Sequence, residues 1–159
     1  MLDKDTGCKC WSSTNFEHRS FKWTGDCVDG FVSGSGVLTV LRDGYQFAVF
    51  EGFLLHGKAE GPGRFTWPDG DVFEGNYKNG LPNGFGRFYN DDGDYYEGNF
   101  ENGRQSGQGI YWYESKSPIL KFDGTWVDGY RHGQGTLYYR NGSTERGIFH
   151  HNELVESDK

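Results

Sequence analysis

The sequence predicts an all-β fold, a single elongated antiparallel sheet made of consecutive β-hairpins. Three observations carry that expectation. First, a glycine- and aromatic-rich stretch recurs. FEGFLLHGKAEGPGRFTWPDG runs from Phe50 to Gly70, FEGNYKNGLPNGFGRFYNDDG from Phe73 to Gly93, YEGNFENGRQSGQGIYWYESK starts at Tyr96, and FDGTWVDGYRHGQGTLYYRNG runs from Phe122 to Gly142. Second, each copy alternates with period two, the strand signature: Phe73, Gly75 and Tyr77 point one way, Glu74 and Asn76 the other. Third, Asn79-Gly80, Asn102-Gly103 and Asp128-Gly129 stand within copies, and Asp69-Gly70, Asp92-Gly93 and Asn141-Gly142 between them. All are residues that tolerate positive φ in tight turns.

A chain of 159 residues is within the range of one domain. Residues 1–22 read as an N-terminal capping segment, with Trp11 and Phe16 as apolar cover, beside the three cysteines Cys8, Cys10 and Cys27. A disulfide from Cys27 to Cys8 or Cys10 would close a loop of about 20 residues and stabilise by roughly 3 kcal/mol. Three reduced thiols are the alternative, and a metal site with His18 is a third, although the paired spacings of zinc ligands are missing.

Residues 23–152 form the array, five near-complete copies and a partial sixth. The leading glycines Gly52, Gly75, Gly98 and Gly124 are spaced 23, 23 and 26 apart, the last interval lengthened by an insertion around Lys116–Leu120. A degenerate copy with Gly25, Gly30, Gly34, Gly36 and Gly44 comes first. In the last copy Glu145 takes an aromatic position and Asn152 a turn glycine, polar changes that suit a terminal cap. The polar tail, 153–159, is expected to be frayed or to form a short capping helix.

A lone sheet needs a core on one face. Trp23, Phe50, Phe73, Tyr96 and Phe122 share one row, glycines the next, and Cys27, Leu54, Tyr77, Phe100, Trp126 and Phe149 the third. Leu38, Phe65, Phe88, Tyr111 and Leu137 join them from the second strands. Rings beside side-chain-free glycine can lie flat over bare backbone.

The pattern Y/F-E-G-x-aromatic-x-x-G-x-x-x-G-x-G-x-aromatic resembles the MORN repeat, the membrane occupation and recognition nexus motif, over residues 23–152. That resemblance implies a twisted or curved array of hairpins. It leaves function open among scaffolds, protein-binding modules and proteins first associated with phospholipid. The segment CKCW followed by W-x-G-x-C also resembles the N-terminal part of bacterial envelope proteins that bear MORN repeats, which implies an oxidising compartment or secretion.

Composition narrows the partners. The net charge is −7, with no basic run, which argues against nucleic acid and anionic membranes because affinity for both rests on Lys/Arg clusters. No apolar run reaches the length of a membrane span, and MLDKDTG lacks the apolar core of a signal peptide, so the chain reads as soluble; a trimmed signal leaves the compartment open.

The chemical candidates give way to structural readings. The Gly-x-Gly pairs, such as Gly84/Gly86 and Gly107/Gly109, lack the helix and the Lys or Ser/Thr of a phosphate loop. Asn90 to Glu101 has calcium-loop oxygens at several positions, but Tyr95 stands where the loop's sharp turn requires glycine. Glu51, Glu74, Glu97 and Asp123 recur once per repeat, as catalytic pairs do not, and are expected to pair across strands with Arg64 and Arg87. The five histidines look scattered, and no nucleophile has a recognisable base. No catalytic residue, metal ligand or cofactor is assigned.

What remains is surface. Tyr89, Trp112 and Tyr138 occupy equivalent positions on the face opposite the ring rows, where earlier copies have Thr39 and Thr66. Either the sheet twists and buries them, or they form a contact patch. The expectation is a non-enzymatic module binding a protein partner or itself through an elongated sheet face. A carbohydrate ligand is the alternative, since sugars also use planar aromatics; lipid headgroups are opposed by the charge.

Overall fold

Two kinds of turn set the hairpins. Within copies, Asp29-Gly30, His56-Gly57, Asn79-Gly80, Asn102-Gly103 and Asp128-Gly129 hold both residues at positive φ, as do His151 and Asn152 at the last turn and Asp43-Gly44 between the first two copies. This is the two-residue geometry whose twist matches that of the flanking strands. Between the later copies only the glycine is left-handed, as at Gly70, Gly93 and Gly142. There Gly70 N–H donates to Trp67 O (3.2 Å) and Trp67 N–H to Asp71 O (2.9 Å), a longer loop than the dipeptide alone implies.

The computed structural model describes residues 2–3, 5–10 and 19–158. Trp11, Phe16 and His18 lie outside the described residues. Among those described there are thirteen strands and no helix.

The chain divides into two units, Met1–Leu81 and Pro82–Lys159. The first holds β1 (Arg19–Trp23), β2 (Asp26–Val28), β3 (Phe31–Arg42), β4 (Tyr45–Leu55), β5 (Lys58–Thr66) and β6 (Val72–Lys78), in the order β1-β3-β4-β5-β6 with β2 also on β3. The second holds β7 (Leu81–Tyr89), β8 (Tyr95–Glu101), β9 (Arg104–Trp112), β10 (Ile119–Val127), β11 (Tyr130–Tyr139), β12 (Thr144–His150) and β13 (Glu153–Ser157), in chain order. Every pair of neighbouring strands within a unit is antiparallel.

Each unit builds its core by laying rings on glycine. A Cβ on Gly63 would lie 2.7 Å from Phe50 Cε2, and one on Gly124 would lie 2.6 Å from Phe122 Cζ. Tyr96 likewise covers Gly98 and Gly109, and Trp23 covers Gly25 and Gly36. The next rings meet these edge-on: Phe50–Tyr77 at 5.3 Å and 85°, Phe122–Phe149 at 5.0 Å and 74°. Edge-to-face contact suits the ring quadrupoles. Phe50, Phe73, Tyr96, Phe122, Trp126 and Phe149 are all buried, without a second layer of secondary structure among the described residues.

The first glycine of Gly-x-Gly has a separate task. Gly61, Gly107 and Gly133 sit at φ near 70° where the hairpin register slips. They form bulges that restore the inward direction of the following residues.

Several expectations at the ends are corrected. Glu153–Ser157 is a strand paired with β12, neither frayed nor helical. It replaces the missing ring: the backbone of Glu156 covers Gly147, where Glu145 offers no aromatic. Arg146 Nε then reaches Asp158 Oδ2 at 3.1 Å. At the other end Cys27 is exposed rather than part of the ring-bearing core, because β2 pairs only with β3. Cys8, itself buried, is joined to Cys27 by a disulfide. The Cys10 thiol donates to Gly57 O at 3.5 Å, and burial pushes it up to about 11.

Candidate functional site

The outer face of the second unit carries the site. Five residues stand opposite one another on successive strands: Tyr89 on β7 faces Tyr95 on β8, which faces Trp112 on β9, then Lys121 on β10 and Tyr138 on β11. Directly opposed side chains in a ladder are about 5 Å apart, close enough to stack. Tyr89 and Tyr95 have ring centroids 4.8 Å apart at 31°, and Tyr95 and Trp112 are 4.9 Å apart at 30°. Lys121 Nζ lies 4.5 Å from the Tyr138 centroid.

Tyr89, Trp112 and Tyr138 therefore share one cross-strand row. Tyr89 is 41% exposed and the other four are half-buried, so the row is open to solvent along its length. Tyr95 and Lys121 were missed by reading the second strands alone. The signal was present: each immediately precedes a core ring, Tyr96 or Phe122, and period two sends it to the opposite face.

A charged row runs beside the aromatic one. Arg87 Nε and the Tyr95 hydroxyl both donate to Glu97 Oε2, each at 2.6 Å. These two bonds, Tyr95 first, hold the Glu97 carboxyl below the usual carboxylate range. Burial, and then the bond to Glu97, pushes the Tyr95 phenol well above its ordinary value. Lys121 Nζ also reaches Asp123 Oδ2 at 3.8 Å. Arg64 faces Glu51 and Glu74 in register in the first unit. Beyond the charged row, Gln108 Nε2 donates to Thr125 Oγ1 at 2.9 Å.

The insertion is tied down next to this row. The Arg140 guanidinium donates to the carbonyls of Ser117 (2.9 Å), Tyr113 (2.9 Å) and Glu114 (3.0 Å). Asp94 accepts from the Tyr111 hydroxyl at 2.6 Å and from Glu114 N–H at 2.7 Å, while Asn90 and Gly93 close the turn. The carboxylate of the calcium-like stretch is thus engaged in holding a loop.

A family sequence model now bears on these hairpins. The MORN repeat matches residues 50–72, 73–95, 96–117 and 122–144, more than half of the chain. The chain belongs to the MORN repeat family. A search of curated proteins gave no match. MORN repeats are commonly interaction or scaffold modules, are generally non-enzymatic, and mediate protein or membrane interactions. Within a MORN hairpin the ring and glycine positions are taken up by the core. Side chains on the opposite face are free to differ, and the aromatic row lies there.

Proposed function

We propose that this MORN protein is a non-enzymatic interaction module that binds a partner protein, or a second copy of itself, through the row Tyr89–Tyr95–Trp112–Lys121–Tyr138. The observation that carries the reading is the continuity of that row over five strands on a face the core does not use. Aromatic side chains provide large contact area with few rotors to freeze, and they dominate the energetics of many interfaces. The adjoining Glu97 and Asp123 would set register and disfavour anionic partners.

The stacking favours protein over carbohydrate. Sugars are gripped by open ring faces, whereas the Tyr95 ring is already engaged by Tyr89 and Trp112. The net charge of −7 opposes anionic lipid. Affinity capture from native lysate beside light scattering tests the reading. The wild-type chain is expected to retain a partner or self-associate, and a variant with Tyr89, Trp112 and Tyr138 all changed to Ala is expected to lose that binding. Unchanged binding by the variant removes the site. Hits on a glycan array, or strong pelleting with anionic vesicles, would favour the other ligand classes.

A further inference from the structure

Three of the five histidines, scattered in the sequence, meet in the second unit. His132 on β11 and His150 at the end of β12 lie one residue beyond the Gly133–Phe149 pair, so antiparallel register sets them opposite. His151 follows in the left-handed turn conformation, φ 48°. The ring centroids of His132 lie 4.9 Å from His150 and 5.7 Å from His151, and those of His150 and His151 lie 4.4 Å apart. Each imidazole offers a nitrogen within 4.8 Å of the others.

We propose that His132, His150 and His151 form a mononuclear site for a first-row divalent ion, Zn²⁺ foremost. A tetrahedral ion with Zn–N bonds of 2.0–2.1 Å holds its ligand nitrogens about 3.3 Å apart. His150 Nδ1 and His151 Nδ1 are already 3.2 Å apart. His132 completes the set by side-chain rotation, which costs little at a half-exposed position. Imidazole selects zinc, copper and nickel over calcium and magnesium. The nearest fixed cation on this strand is turned away: the Arg131 guanidinium sits over Phe122 and Phe149 and donates to Asn152 O at 2.7 Å. Three protein ligands leave a fourth position for water or for a side chain of a bound partner. Binding would fasten the β11–β12 pair at its last turn.

The test uses the full chain without an affinity tag, stripped of metal, titrated with Zn²⁺ against a chromophoric chelator and by calorimetry. One equivalent should bind, and the melting temperature should rise with Zn²⁺ because the ion binds the folded state. H132Q, H150Q and H151N should each weaken binding by at least about tenfold. Asn at 151 keeps the left-handed turn, and circular dichroism confirms that each variant folds. His56→Asn, at another left-handed turn position, serves as the control and should bind as wild type. With Cu²⁺, electron paramagnetic resonance should show coupling to imidazole nitrogens that the triple variant loses. Equal Zn²⁺ affinity in the wild type and the triple variant, or no uptake by the wild type, overturns the proposal.

Discussion

The equivalent outer-face row is filled by Lys22, Thr39, Val49, Thr66 and Val72 in the first unit and by Tyr89, Tyr95, Trp112, Lys121 and Tyr138 in the second, on hairpins of the same design. The inner faces hardly differ: Phe50 covers Gly52 and Gly63 in one unit, and Phe122 covers Gly124 and Gly135 in the other. β-Branched residues satisfy a solvated strand face and ask nothing more of it. Four large rings in the same register add exposed apolar area that the hairpin does not need. The inner face reports the fold, and the outer face is where the two units diverge.

The largest effects should fall on what the units share. Phe122→Ala and Phe50→Ala should each cost about 3–5 kcal/mol, as buried aromatic truncations do, and by similar amounts if the inner faces are equivalent. Denaturant unfolding measures both. A much smaller loss in one unit would break the equivalence.

Reduction comes next and should separate the units. The Cys8–Cys27 bridge closes a separation of 19 residues, and the second unit has no cysteine. Breaking the bridge should cost about 3 kcal/mol, read by hydrogen exchange as faster opening of β2 and β3 with β9 to β12 unaffected.

A smaller change should stabilise. The Tyr77 hydroxyl is buried and finds no hydrogen-bond partner among the described residues, and burial raises its phenol far above the ordinary value. The equivalent Trp126 instead donates to Gly109 O at 3.1 Å. Tyr77→Phe should therefore gain about 1 kcal/mol, visible as a higher denaturation midpoint.

The smallest effect concerns Glu97. Its carboxyl is held below the ordinary value in the folded state, so its contribution is present above the unfolded value and fades as pH falls through the lowered one. Glu97→Gln should be slightly less stable than wild type at pH 7, and the gap should close as pH falls below the ordinary carboxylate range. A gap that persists in acid would show that ionisation has no part in it.

Most of the fold was legible because its causes are local. Period-two alternation assigned Phe73 and Glu74 to opposite faces, and Asn79-Gly80 marked a turn that needs two positive φ values. The rings over glycine followed from the same register. What escaped depends on pairing between distant strands. His132 and His150 look unrelated until the register of β11 and β12 is known. Lys121 follows the insertion directly, and only the slip at Leu120 shows that it stands beside Tyr138. The strand after His151 was hidden because ELVES is short and mostly polar, and its role is to supply backbone over Gly147. Of the candidate site, the three aromatic positions were readable as departures from the repeat, while their joining into one row was not.

The most direct test exchanges the character of the two rows. Tyr89, Trp112 and Tyr138 are all changed to Thr, the residue at positions 39 and 66, and a second variant carries Thr39→Ala and Thr66→Ala. Both are compared with wild type for partner capture and self-association by light scattering at equal concentration. The first variant should fold and lose binding by at least about tenfold, as removal of interface anchors does, while the second should bind as wild type. Binding by the first variant at the wild-type level would contradict the account.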